Sequence, residues 1–119
     1  MAEIEIKNLQ KSFGDFVAVK NSNLIIENKE FFVLLGPSGC GKTTTLRMIA
    51  GLELPTSGNI YLDKEDVGYL RASQRDIAFV FQLFALYPHM NVRNNLAFPL
   101  KMQKLSRSEV DAKVLEAAK

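Results

Sequence analysis

One cysteine, one histidine and no tryptophan occur in these 119 residues, and each scarcity removes a class of function. A lone thiol, Cys40, excludes an internal disulfide, and with a single imidazole, His89, it leaves no zinc constellation. No apolar run approaches the ~18–20 residues needed to span a bilayer. The amino terminus MAEIEIKNLQ lacks the basic-then-apolar pattern of a secretory signal, so a cytoplasmic chain is expected. Fifteen Lys and Arg residues face thirteen Asp and Glu, and the net charge of +2 is spread without a basic tract. A nucleic-acid partner is therefore not expected. Internal repeats and low-complexity segments are absent. What the chain has in quantity is apolar residues, 47%, ample for the core of one domain at this length.

Against that background one stretch carries specific chemistry. Gly36-Pro37-Ser38-Gly39-Cys40-Gly41-Lys42-Thr43 fits G-x-x-x-x-G-K-[ST], the Walker A phosphate loop. Before it, the apolar run Phe31 to Leu35 reads as a buried strand; after it, Thr44 to Ala50 reads as a helix that Gly51 caps. Strand, glycine loop and helix are the context the motif requires. Glycines let successive N–H groups turn inward around a phosphate, and the helix N-terminus adds partial positive charge. Lys42 supplies a full charge, expected to be solvated in the empty protein, and the Thr43 hydroxyl can ligate Mg²⁺. Cys40, inside the loop near Lys42, is expected to favour thiolate. The plain alternative is a glycine-rich turn, and the flanking elements count against it.

The rest of the chain reads as mixed α/β. Glu3 to Leu9 alternates as a half-buried strand, Phe13 to Phe16 is a turn, and Val17 to Lys20 is extended. Ser22 to Glu27 is a short strand, Asn59 to Leu62 another, and Ile77 to Phe81 a further apolar strand followed directly by Gln82. Asn91 caps a short helix through Leu96, limited by Pro99. Ser106 to Glu109 is a capping box that opens a helix with Val110, Val114 and Leu115 on one face. That helix runs to Lys119 with no stop signal, so the chain is expected to be cut within a larger domain.

Phe13, GPSGCGKT, RMIAGLE (Arg47 to Glu53), TSG (Thr56 to Gly58) and RDIAFVFQ (Arg75 to Gln82) together resemble the nucleotide-binding subunits of ABC transporters. The run Ala85 to Lys101 resembles the sugar-importer branch. The resemblance covers nearly the whole chain, in order. It implies an α/β fold: the N-terminal part (1–119) of one P-loop ATPase domain of ABC type, an antiparallel β region packed on a partial P-loop core. It implies ATP and Mg²⁺ as ligands. Phe13, Gly36, Pro37, Ser38, Gly39, Cys40, Gly41, Lys42, Thr43 and Thr44 would hold nucleotide. Lys42 and Gln82 would take catalytic roles, and Thr43 and Gln82 would contact the metal. It further implies transmembrane permease subunits docking on Leu83 to Met90, a second ATPase subunit, and a peripheral place on the inner face of the cell membrane.

The sequence departs from the family pattern in what it lacks. It has no LSGGQ-like signature, no Walker B aspartate after an apolar strand, no catalytic glutamate beside it, and no switch histidine. ATP hydrolysis coupled to solute uptake is accordingly an expectation for a complete subunit, and nucleotide binding for this chain. Two alternatives stand beside it: a non-catalytic nucleotide-binding fragment, and a P-loop kinase of small acceptors. In the family, later strands flank the phosphate-loop strand, and without them Val33 to Leu35 would expose ladder groups and apolar surface. Individual residues also have bland readings. Phe13, Phe84 and Tyr87 could be core, Gln82 a polar strand end, and Asp63, Glu65 and Asp66 a hydrated turn. Arg71, Arg75, Lys101 and Lys104 read as solvated surface charge, and His89 as non-catalytic.

Overall fold

The computed structural model describes residues 2–119, which form two compact units dividing between Phe79 and Val80. In the first unit, β1 (Ile4–Phe13), β2 (Phe16–Ile26), β3 (Ser57–Leu62) and β4 (Glu65–Asp66) make one sheet of order β2-β1-β3-β4. Every neighbouring pair is antiparallel. Ile6 and Leu9 are three residues apart, which strict alternation would send to opposite faces. A register shift between them, with Asn8 at φ 48, absorbs the extra residue, and both side chains reach the core. β3 must approach this irregularity closely, because a Cβ on Gly58 would stand 2.3 Å from the Asn8 carbonyl oxygen. Glycine is required there. Asn21, at φ 47, lies within β2, and the strand runs on through Ile26. The two separate extended runs expected from sequence are thus a single strand.

The helix α1 (Lys42–Ile49) packs Met48 and Ile49 against the sheet residues Ile6, Leu9, Val19, Ile60 and Leu62, with Val67 joining the same cluster. Its C-terminal end is closed from an unexpected source. Arg75, read from sequence as solvated surface charge, is only 6% exposed. Its guanidinium donates to the carbonyls of Met48 (2.6 Å), Ile49 (2.7 Å), Gly68 (3.0 Å) and Leu70 (2.9 and 3.1 Å). The last carbonyls of a helix have no intrahelical donor and carry partial negative charge, and a planar cation with five N–H groups answers both needs. Burial pushes its pKa down, and the charge of Asp66 pulls it back up.

Two expected strands do not form. Residues 31–35 pair with no strand among the described residues, and Phe31 and Leu35 are 91% and 87% exposed. Residues 77–81 likewise belong to no strand, although Ile77 packs against the core. Apolar composition marks both runs for burial but does not by itself supply the regular ladder that defines a strand.

The second unit is a helical hairpin. α2 (Val92–Met102) starts at Asn91, whose side chain accepts from Asn94 N–H at 2.8 Å. It does not stop at Leu96 but carries Pro99 inside it. Proline deletes one helical hydrogen bond there, and packing of Leu96, Ala97 and Leu100 against α3 (Arg107–Ala117) offsets the loss. The capping box of α3 forms as expected, with Ser106 N–H and Oγ both bonded to the Glu109 carboxylate. Val110 and Val114 are buried, whereas Leu115 faces outward. Arg93 and Asp111 form an ion pair between the helices. From the first turn of α2, the Asn95 side chain reaches back to the preceding loop, accepting from Tyr87 N–H and donating to the carbonyls of Tyr87, Met90 and Asn91.

Candidate functional site

The phosphate loop enters α1 through Gly41, at φ 91. A Cβ at this position would meet the Ala18 carbonyl oxygen at 2.4 Å, so its absence lets β2 pass close against the start of the helix. Thr45 secures that first turn by donating its hydroxyl to the Gly41 carbonyl at 2.9 Å. Beside Gly39 the space is open, with no atom within 4 Å of where a Cβ would stand.

Lys42 is half-buried and turns back onto its own loop, contacts that the expectation of a solvated charge did not include. Its ammonium donates to the carbonyls of Gly36 (2.5 Å) and Pro37 (2.7 Å) and lies 3.3 Å from Cys40 Sγ. Its four-carbon stem curls back over the loop onto the preceding carbonyls. The charge is thereby fixed at the loop's centre. Partial desolvation pushes the exposed Cys40 thiol up, but hydrogen bonds and charge from Lys42 outweigh it and hold the thiol below its ordinary value.

A cavity of 360 Å³ brings most of the expected nucleotide contacts together. Ser38, Gly39, Gly41, Lys42, Thr43 and Thr44 line one part, and Phe13, Phe16 and Ala18 of the β1–β2 hairpin line the rest. Loop residues with one cation and three hydroxyls thus share a space with two aromatic rings. That donor set fits a phosphorylated ligand with a planar base. A larger cavity of 590 Å³ lies against β2 and Phe32, Leu34 and Leu35, but excludes Phe13 and the hydroxyls of Ser38, Thr43 and Thr44. Cys40, Gly41 and Lys42 line that larger cavity too, but only the smaller one joins the loop hydroxyls to Phe13. Among the described residues no cluster of three or more His, Cys, Asp or Glu could hold a metal alone. A divalent ion would be held by the Thr43 hydroxyl together with ligand oxygens.

Phe13 is 48% exposed at the hairpin tip, paired across the turn with Phe16. Gln82 is exposed in a turn that opens the second unit, ahead of the apolar stretch 83–90. There Leu83, Phe84 and Leu86 are exposed, while Tyr87 packs on Phe98 with ring centroids 4.8 Å apart. The acidic residues at 63–66 serve local structure: Asp63 accepts from Glu3 N–H, and Asp66 from Gly68 N–H and Asn59. Sequence reasoning missed Phe16 and Ala18 in the cavity and Lys11 beside it, whose ammonium stands 4.8 Å from the Phe13 ring centroid. The signal for Lys11 was its spacing two residues before Phe13 on one strand.

Comparison with known proteins adds the family. Residues 19–119 match the family described as ABC transporter. The chain is similar to the spermidine/putrescine import ATP-binding protein PotA of Pseudomonas aeruginosa, 53% identical over 98% of this chain and 32% of the relative. It is similar also to the trehalose/maltose import ATP-binding protein MalK of Thermococcus litoralis, 51% identical over 99% of this chain and 33% of the relative. It thus spans about a third of the length of these curated relatives. Among solved structures, the ATP-binding cassette MJ0796, a dimer bound to ADP and Pi, superposes with a TM-score of 0.83 at 34% identity, covering 95% of this chain and 54% of that one. Phosphate loop, fold and family agree: the chain belongs to the ABC transporter family.

Proposed function

We propose that this chain binds Mg-ATP as part of the ATPase subunit of an ABC importer. The observation that carries the reading is the single cavity in which the phosphate loop and Phe13 meet. In it, loop amides and Lys42 bind the phosphates, Ser38 and Thr44 hydroxyls add donors, and Phe13 offers a face to the adenine. Mg²⁺, held by Thr43 and phosphate oxygens, would neutralise charge on the phosphates. Gln82 is the expected second contact to the metal and the γ-phosphate. The exposed apolar stretch 83–90 is suited to a transmembrane permease subunit, with aromatic anchors carrying the energy. A second ATPase subunit is the expected partner across the nucleotide, and docking on a transmembrane permease subunit would give the chain a peripheral position at the inner membrane face. The named solutes of the two relatives are a polyamine pair and a sugar pair, so solute import is common to both and a sugar remains the expectation.

Among the described residues lining the cavity none is a carboxylate, so none of these groups would position an attacking water as a base. The chain is expected to grip nucleotide and release no phosphate above background. The test is equilibrium binding of Mg-ATP to the purified chain and to Lys42→Ala. Loss of the ammonium should weaken ATP by about 10-fold or more, the size of a charge-assisted contact. Equal affinity in both proteins would remove the assignment, and robust Lys42-dependent turnover would make the chain a complete small ATPase.

A further inference from the structure

Near the tip of the β1–β2 hairpin, a side chain outside the phosphate-loop motif reaches both the Phe13 ring and the turn after α1. The Lys11 ammonium forms an ion pair with Glu53 at 2.6 Å and donates to the Leu54 carbonyl at 2.8 Å. It stands at the same time 4.8 Å from the centroid of the Phe13 ring. The side chain is well covered, 13% exposed, so these contacts are made partly out of water and are stronger for it. Glu53 itself belongs to the turn that closes α1, where Leu52 N–H and Glu53 N–H both bond the Arg47 carbonyl. One ammonium thus links the far end of α1 to the aromatic ring itself, while Thr56 ties the strand backbone beside it, accepting from Ser12 N–H at 3.0 Å and donating its own N–H to the Gln10 carbonyl at 2.9 Å.

Phe13 lines the 360 Å³ cavity and Lys11 does not. The cation acts on the ring from outside the cavity wall. A cation over an aromatic ring draws on its negative π face, fixing its tilt and making the ring a better partner for an electron-rich purine stacked on it. Because Lys11 is anchored to the α1 turn, it also fixes how far the ring stands from the phosphate loop. A bound nucleotide must satisfy both ends at once, and its affinity depends on that spacing.

We propose that Lys11, anchored by Glu53 and Leu54, is a positioning residue for adenine recognition: it braces Phe13 and holds the base platform in register with the phosphate loop. The proposal rests on the reading of Phe13 as the adenine platform.

The experiment compares equilibrium binding of Mg-ATP and of Mg-bound inorganic triphosphate, which has no base, to the purified parent chain and to Lys11→Met, Lys11→Arg, Phe13→Ala and the Lys11→Met/Phe13→Ala double variant. Lys11→Met should weaken ATP about fivefold and leave triphosphate within about twofold, the range of a partly covered cation–π contact. Lys11→Arg keeps the charge, the ion pair and the ring contact, and should restore the preference for ATP. In the Phe13→Ala background, Lys11→Met should have no further effect on ATP. Glu53→Gln, which leaves Lys11 in place but unanchored, should reproduce part of the loss and serves if Lys11→Met does not fold. Equal weakening of both ligands, an unchanged preference for ATP, or additivity with Phe13→Ala would each overturn the proposal while leaving the nucleotide site standing. A parent chain that binds triphosphate as tightly as ATP would remove the adenine platform itself, and this proposal with it.

Discussion

Arg75 donates a 2.6 Å hydrogen bond to the carbonyl of Met48, so a guanidinium 27 residues along the chain closes the end of α1. The same group closes on Ile49, Gly68 and Leu70, and its removal would leave several carbonyls in a covered site with no donor. Arg75→Met should therefore destabilise the first unit by about 3 kcal/mol or more, with lysine rescuing only part because an ammonium cannot span four carbonyls. Urea unfolding measures it. A change within experimental error would mean that water replaces the guanidinium at little cost.

Gly41→Ala should be harmful for two separate reasons. The residue has φ 91, and the new methyl would stand 2.4 Å from the Ala18 carbonyl oxygen, a backbone atom that cannot swing aside. Left-handed strain alone costs about 1–3 kcal/mol, and the clash adds to it by parting β2 from α1. Mg-ATP binding and thermal stability should both fall. A variant that binds ATP like the parent would show that β2 yields there without consequence for the loop.

Cys40 offers a chemical readout of the same loop. It is exposed, 3.3 Å from the Lys42 ammonium, with a thiol held below its ordinary value. Alkylation should be rapid at neutral pH, slower in Lys42→Ala, and suppressed by saturating Mg-ATP. Labelling rates indifferent to both changes would mean that the thiol faces away from bound phosphate.

The capping box of α3 carries a pH dependence. The Ser106 hydroxyl and N–H both bond the Glu109 carboxylate, at 2.6 and 2.9 Å, and these bonds hold its pKa below the usual carboxylate value. A depressed folded-state pKa means that the stabilisation is present above the unfolded value of about 4.3 and lost as pH falls through the folded one. Helicity of the second unit should decline over that window, and Glu109→Gln should flatten the decline. Circular dichroism between neutral and acidic pH tests it; identical profiles would assign the loss to other carboxylates.

What the sequence made legible is what is local. The phosphate loop was readable because its glycine spacing, lysine and following helix lie within a dozen residues. The Ser106 box was readable for the same reason. Arg75 was misread because its partners Met48 and Ile49 lie 27 and 26 residues away, and no pattern in composition links a surface-looking arginine to a helix end. Residues 31–35 were recognised as apolar and extended, but β-pairing belongs to the partner strand as much as to the segment itself. Pro99 was over-read: the sequence records the hydrogen bond it deletes, and not the packing of Leu96 and Leu100 that carries the helix past it.

The single amide of Asn95 grips Tyr87 at both its N–H and its carbonyl, and holds the carbonyls of Met90 and Asn91 as well. The consequence is kinetic. The part from Tyr87 to Asn91 is held in one shape, so it would need no ordering step in the proposed docking to a permease subunit. Encounter would be limited by collision and orientation, and the lifetime of the complex would be set by how much of Leu83, Phe84 and Leu86 stays covered. Replacing Asn95 with alanine would then slow arrival without shortening residence, whereas replacing Leu86 would do the reverse.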